Sequence, residues 1–420
     1  MIILICLFFV LGITFHQARI QGLPTAISLV LASTLNLVIL SWSFILCLWL
    51  SFDFQIALII LVFFYGYLVK KYATFKLTSL KIPSTMSLLA CAILGLAAIF
   101  YQKSSIPWGG WDAVAIWNQH AKFLSAGPQW IAMFDPALSS SHPDYPLFLP
   151  SLIAIAWQAF PGLSNAVPMI LGLFPLLGIL TILFFSLPQK AIGIIPCVIL
   201  LVDKAFIDQA ASQYADTWLA FFILMGLYLL VELPKNKHLA WVIGLIMANC
   251  CWIKNEGFIF FILAGAITVY YLFPHKKNLL VFMASAGILL LLILFYKIHW
   301  TPANDMAAEI KGSIWQKLKS QERYFTLFDF AKKSMLGEYQ MLIPLALIGL
   351  FIVKSFPKSL LLPSLVIILL FLAYMGIYLI TPKDLSWHLS TSFFRLIHHL
   401  YPSILFLYFC LMDQHKKYLI

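Results

Sequence analysis

A chain of 420 residues that is 62% hydrophobic and only 10% charged, with a mean hydropathy of +0.95, falls outside the soluble globular class, where about 25% of residues are charged. The formal charge of +11 would suit nucleic acid in a soluble chain. In a membrane chain it reads as cytoplasmic positive clusters and contact with anionic lipid, with no nucleic-acid partner.

Strand-like alternation over segments of about ten residues, the mark of a transmembrane barrel, is absent, so the predicted class is an all-α polytopic membrane protein. Apolar runs at 1–16, 24–50, 54–69, 84–101, 146–160, 166–187 and 190–206 come first. Runs at 217–233, 238–253, 257–273, 279–298, 340–355, 359–380 and 396–412 follow. Each is read against the roughly 20 apolar residues that a spanning helix needs. The first run has no basic n-region and no small-residue cleavage site, which predicts a retained helix. All seven cysteines lie within apolar runs without a CxxC pair, so they are expected to act as small buried hydrophobes.

Basic clusters at 69–81, 232–238, 273–278, 353–358 and 413–417 are placed on the cytoplasmic face. Residues 102–145, 252–257, 299–338 and 381–395 then fall on the opposite face. Four apolar runs separate the first of these loops from the 232–238 cluster, where an odd number of crossings is required. One of 146–160, 166–187 or 190–206 is therefore expected to be re-entrant, interfacial or half-length. The 299–338 loop, with Lys297 included, carries seven Lys/Arg against five acidic residues. A basic interfacial helix on anionic headgroups and a solvated amphipathic helix both fit that mixture.

The ionisable residues outside the cytoplasmic clusters gather on one predicted face. Asp112, His120, His142 and Asp144 lie in the first loop and Asp216 at the start of the 217–233 run. Lys254, Asn255 and Glu256 lie between two runs, and Lys383, Asp384, His388, Arg395 and His398 around the last loop. Charges at a membrane boundary are costly enough to be treated as functional candidates. The plainer reading of Asp112, Asp144 and Asp216 is helix capping. For Trp108, Trp111, Trp117 and Trp130 it is anchoring at the headgroup level.

The stretches "GGWDAVAIWNQHAKFL", "HPDYPLFLPSLIAIAW", "QYADTWLAFFILMGLYLL", "WIKNEGF" and "LSWHLSTSFFRLIHHLYP" occur in this order. Together they resemble the GT-C class of membrane glycosyltransferases, in its branch of protein O-mannosyltransferase and aminoarabinose-transferase relatives. The resemblance covers about 84–412 and makes residues 1–83 an addition of N-terminal transmembrane helices. It implies a catalytic module over 84–420, a bundle of about 13 transmembrane helices with extracytoplasmic loop helices, and a bacterial inner-membrane location. It further implies a polyprenyl-phosphate-linked sugar donor and an extracytoplasmic acceptor, either glycolipid, glycan or protein, with inversion at the anomeric centre.

Carried over by position, Asp112 is the catalytic carboxylate and Asp144 the second acid. Arg395, Lys254 and His388 are expected to face the donor phosphate. Trp111, Trp117, His142, Tyr145, Asp216, Asn255 and Glu256 are expected to bind substrate or support the site. The chain departs from the family at Phe394, where an acid is expected beside the arginine, so Arg395 lacks a local partner. There is no GxGxxG or GxxxxGK[ST] loop and no DxD pair, so no cofactor is expected to be obligatory, with a divalent cation left open. A transporter or flippase of lipid-linked or small substrates and an O-antigen polymerase or ligase are the alternatives.

Overall fold

The computed structural model describes residues 1–20, 22–72, 84–160, 162–303, 314–337 and 357–416. The expected span over 340–355 lies outside them, as do parts of the basic clusters at 69–81, 353–358 and 413–417. The described residues are helical, with no strand among them. This follows from the solvent: hydrocarbon offers no hydrogen-bond partners, so each apolar run closes its own backbone.

The helices are α1 (Ile2–Arg19), α2 (Thr25–Trp49), α3 (Phe54–Tyr72), α4 (Ser84–Ser104) and α5 (Asn118–Ser125). Next come α6 (Phe148–Ala159), α7 (Ala166–Ser186), α8 (Lys190–Val202), α9 (Lys204–Ala210) and α10 (Asp216–Glu232). They are followed by α11 (Ala240–Ile253), α12 (Gly257–Leu272), α13 (Lys276–His299), α14 (Ile314–Lys319) and α15 (Gln321–Gly337). The last two are α16 (Lys358–Ile380) and α17 (Leu385–Lys416). Six of them, α2, α3, α7, α13, α16 and α17, are long and apolar enough to cross a membrane, and the protein is membrane-embedded on that basis. Other apolar helices, α6 and α8 among them, are shorter than a full span.

Contacts between helix ends fix the directions. Trp49, at the end of α2, stacks on Tyr296 of α13 with ring centroids 6.3 Å apart. The Tyr296 hydroxyl donates to the Tyr145 carbonyl at 3.0 Å, so both helices finish beside the 105–147 connection, called loop 1 here. At the far end Arg19 lies 5.4 Å over the Tyr72 ring, Asn236 packs against Gly22, and Asn278 donates to the Lys237 carbonyl at 2.7 Å. Lys70 and Lys71 and the 232–238 and 273–278 clusters therefore share the end away from loop 1.

The same reasoning identifies the run that does not traverse the bundle. Near the last turn of α6, Gln158 donates to the Ser125 carbonyl at 3.4 Å, in the loop from which α6 emerged. Tyr101, near the loop-1 end of α4, then donates to the Met169 carbonyl in the first turn of α7. So α6 starts and finishes at one end. Its 12 residues reach about 18 Å at 1.5 Å per residue, short of a hydrocarbon core of about 30 Å. Helices α7 and α8–α9 form an out-and-back pair, turning where Lys190 donates to the Phe185 and Leu187 carbonyls at 3.1 and 2.7 Å.

Helix α10 is apolar on every side, and its residues from Asp216 to Leu230 are all buried among its neighbours α7, α11 and α17. That is the pattern of a central helix. The N-terminal helices are built into the same core. Ser41 and Ser151 hydroxyls are 2.7 Å apart, Trp252 donates to Ser41 Oγ at 3.2 Å, and Trp42 donates to Asn249 Oδ1 at 3.2 Å. The Trp42 and Trp252 rings stack at 4.3 Å. All seven cysteines are free; Cys6 and Cys91 face outward, unlike the burial expected of them.

Candidate functional site

The site forms where loop 1, the start of α10, the α11–α12 turn and α17 meet. Its floor is Asp216, fully buried at the first position of α10. No side-chain cap hydrogen bond forms at that helix start. The carboxylate faces cations instead. Lys254 Nζ lies 2.9 Å from Oδ1, and Arg395 reaches Oδ2 through Nη2 at 3.2 Å and Oδ1 through Nε at 3.3 Å. His399 Nε2 is 2.9 Å from Oδ1.

Asp112 is tied to this floor through Arg395, whose Nη2 is 2.7 Å from Asp112 Oδ2. Asp112 stands at the start of a π-helical turn, Ala113–Trp117, without capping it. Gly109 (φ +74°) and Gly110 place it there: a Cβ on Gly110 would lie 2.4 Å from the Tyr214 hydroxyl. That hydroxyl accepts the Asp112 backbone N–H at 3.2 Å, and the Tyr214 ring lies 5.0 Å under the Arg395 guanidinium. Gln213 completes the seam, donating to the Ile106 and Pro107 carbonyls at 2.9 and 3.2 Å.

The α11–α12 turn is the "KNEG" stretch. Gly257 is required by close approach, because a Cβ there would lie 2.0 Å from the Cys250 carbonyl oxygen. Lys254 bridges Asp216 to Glu256, whose Oε1 is 3.2 Å away. Burial opposes ionisation of Glu256; Lys254, His399 and a backbone hydrogen bond outweigh it and hold the carboxyl below 4.5. Asn255 donates to Asp144 Oδ2 at 3.0 Å. Lys297 donates to Asn255 Oδ1 at 2.8 Å and to the Asp144 carbonyl, with its Nζ 4.0 Å from Asp144 Oδ2. Asp144 is not a helix cap either, since α6 begins at Phe148 with Leu147 before it. All three carboxylates read as caps are thus engaged by cations or an amide.

Tyr145 sits between two rings, Trp117 at 5.5 Å and His142 at 5.1 Å. Burial and then the Glu256 carboxylate push its phenol well above 10, so it is a hydroxyl at neutral pH. Of the four tryptophans read as interfacial, Trp108 and Trp111 are exposed and Trp117 and Trp130 are buried. Trp111 follows Gly110 and leads into Asp112, with its ring outside the cluster.

His388 is set apart from the floor. Its Nδ1 is 2.9 Å from Thr381 Oγ1, and its ring lies 4.9 Å from Tyr378. It shares a face of α17 with Ser392, Arg395 and His399, at offsets of 4, 7 and 11 residues. Tyr378 lines that face through a 2.9 Å bond to Ser392. Asp384 caps α17 by accepting the Trp387 N–H at 2.8 Å. His398 turns away, with Nε2 3.0 Å from Thr217 Oγ1.

Arg395, which lacks an acidic neighbour in sequence at Phe394, finds Asp112 and Asp216 across the fold. His399, Tyr214 and Lys297 were not singled out by the sequence. Helical spacing from Arg395 selects His399 over the adjacent His398, whereas nothing local marks Lys297. Four carboxylates (Asp112, Asp144, Asp216, Glu256) face three fixed cations (Lys254, Lys297, Arg395). Among the described residues no three His, Cys, Asp or Glu side chains form a metal cage. The four carboxylates have Lys254, Lys297 and Arg395 as cationic partners. No protein-family model, curated protein or solved structure matches the chain.

Proposed function

We propose that the protein is an integral membrane glycosyltransferase that moves a sugar from a polyprenyl-phosphate donor to an extracytoplasmic acceptor. The observation that carries this reading is the Asp112–Arg395–Asp216 relay. It presents a carboxylate and a guanidinium side by side at the bundle end away from the basic clusters. Asp216 is 0% exposed, Asp112 13% and Glu256 21%; of the two that a substrate can reach, Asp112 is the one paired with Arg395, whereas Glu256 is engaged by Lys254.

In this reading the acceptor hydroxyl gives its proton to an Asp112 oxygen as its own oxygen bonds the anomeric carbon from the face opposite the phosphate. The bond from that carbon to the phosphate oxygen breaks, and its electron pair leaves with the polyprenyl phosphate. Inversion follows from the in-line geometry. Arg395 takes the growing charge, since its planar fork matches phosphate oxygens. The donor phosphate would compete with Asp112 for the guanidinium, so donor binding frees the carboxylate for the acceptor. Lys254 is only 2% exposed and holds Asp216 and Glu256; its part is to fix the floor that aims Arg395. Tyr145 supplies a hydroxyl within the field of the Glu256 and Asp112 carboxylates, and Asp144 with Asn255 and Lys297 holds loop 1 on the α11–α12 turn.

The charges collect at one end of the bundle. This favours transfer chemistry over a transporter, whose sites lie near the midplane on broken helices. The test is glycan transfer in membranes supplied with polyprenyl-phosphate sugars, using wild type, Asp112→Asn, Asp144→Asn and Arg395→Ala at matched abundance. Transfer by wild type and none by Asp112→Asn supports the reading. Failure of wild type to consume any lipid-linked donor moves the transporter reading ahead.

A further inference from the structure

Helices α14 and α15 sit on the loop-1 end of α16. Arg323 donates through Nε to the Leu379 carbonyl and through Nη2 to the Tyr378 carbonyl, both at 2.9 Å. Lys317 donates to the Thr381 carbonyl at 3.0 Å. Two of the loop's basic residues thus satisfy the open carbonyls at the end of a membrane-spanning helix, where the helix dipole also favours cations. The outer helices are pinned at the level where α16 leaves the hydrocarbon.

Around α15, at about 100° per residue, three arcs differ in character. Arg323, Leu327, Phe330 and Ala331 turn toward the protein, with Phe330 5.6 Å from Phe393 of α17. Tyr324, Phe325, Phe328 and Leu336 form an exposed apolar arc, with Phe325 and Phe328 71% and 70% exposed. Glu322, Asp329 and Lys333 form a charged arc, with Lys333 2.6 Å from Asp329. A helix in water has no use for a second apolar arc. A helix lying at a bilayer surface, with protein on one flank, lipid on the next and water on the third, requires one.

The rest of this end agrees. Trp315 of α14 is 72% exposed, and Trp108, Trp111 and Trp387 are also exposed, as befits an aromatic belt at a membrane boundary. Residues 314–337 carry Lys317, Lys319, Arg323, Lys332 and Lys333 against Glu322 and Asp329, a net charge of +3. With Lys317 and Arg323 turned to helix carbonyls, Lys319, Lys332 and Lys333 remain at the surface. Lys332 lies within the apolar arc, where its stem can run along lipid while its ammonium reaches the headgroups.

We infer that α14 and α15 form a membrane-docking surface, with Trp315, Phe325 and Phe328 entering the acyl boundary and Lys319 and Lys332 contacting anionic phospholipid headgroups. This holds whatever reaction the neighbouring site performs. It settles the two uses of the 299–338 loop in favour of the lipid surface for these helices.

The experiment places the full chain in nanodiscs of phosphatidylglycerol carrying a phospholipid with a diazirine in mid-acyl chain, and maps photo-adducts by mass spectrometry. Outward-facing Phe63 and Phe64 of α3 and Leu291 and Leu294 of α13 serve as internal controls. Adducts on Trp315, Phe325 and Phe328 within a few-fold of the control yield are expected. Adducts on α3 and α13 with none in 314–337 would overturn the inference and mean that protein or water covers this face. In phosphatidylcholine nanodiscs the yield at Phe325 and Phe328 should fall several-fold, and Lys319→Gln with Lys332→Gln should abolish that lipid dependence. Equal yields in both lipids overturn the anionic-headgroup half.

Discussion

Two buried polar clusters in this molecule use similar groups to different ends. Among α1, α2 and α3, His16 Nε2 is 2.9 Å from the Tyr65 hydroxyl, which donates to Asn36 Oδ1 at 3.3 Å. The His16 ring also stacks on Trp241 at 6.1 Å. At the other end, Asp216 is held by Lys254, Arg395 and His399. The first cluster is built from neutral hydrogen bonds and is closed to the outside. The second carries fixed charges and opens at one edge through Asp112 and Arg395. Burial of polar side chains in an apolar bundle is thus not itself a sign of a site. The first arrangement holds helices together; the second sustains charges that packing would otherwise expel, and leaves Asp112 and Glu256 partly exposed.

Substitutions should separate the two clusters by size of effect. Asp112→Asn is expected to lower transfer by about 10²–10⁴-fold, the range for losing a general base, with normal abundance and melting temperature. Retention of full activity would remove Asp112 from the chemistry. Asp216→Ala strands Lys254 and Arg395 without their shared counter-charge. Breaking a buried pair costs about 3–5 kcal/mol, so folded protein should be largely lost in detergent-stability measurements. A melting curve like that of wild type would show that Asp216 is not the keystone described here.

A third contrast is in pH dependence. Burial in loop 1 lowers His120 from 6.5 to about 4, with His142 adding to the shift and the Ser141 backbone opposing it. The unfolded ring therefore binds a proton that the folded one refuses between these values. Stability is complete above pH 6.5 and falls as the pH drops toward 4, by up to about 3 kcal/mol from this residue. Glu256, held below 4.5, loses its contribution in the same direction as the pH passes through its folded value. His120→Gln should flatten the slope of melting temperature between pH 6.5 and 4; an unchanged slope would assign it to other groups. The smallest effect belongs to the neutral cluster. Tyr65→Phe should cost about 0.6 kcal/mol, and no more than about 1.7, the measured span for interhelical hydrogen bonds in membranes. A larger loss in denaturant titration would make that cluster more than glue.

The sequence by itself determined the class, because 62% hydrophobic residues in long runs leave no alternative to membrane helices. It also brought out most of the site's residues, since charges are scarce and each one in an apolar chain is conspicuous. The charge pattern called for one run that does not cross, though the sequence did not say which. Helices α6 and α8 are both shorter than a span, and the Gln158 contact to Ser125, with that of Tyr101 to Met169, shows α6 ending where it began.

The tertiary structure alone decided partners. Asp112, Asp144 and Asp216 each precede or open a helical stretch, and capping is the local use of such a carboxylate. Across the fold, however, stand Arg395, Asn255 and Lys254, separated from them by 283, 111 and 38 positions. A charge in a low-dielectric bundle gains more from such a counter-charge than from backbone amides, and no local pattern encodes that pairing. His399 entered for the same reason. It lies one turn beyond Arg395 on a shared face, a neighbour through helix geometry that becomes a site residue only because Asp216 comes to meet it.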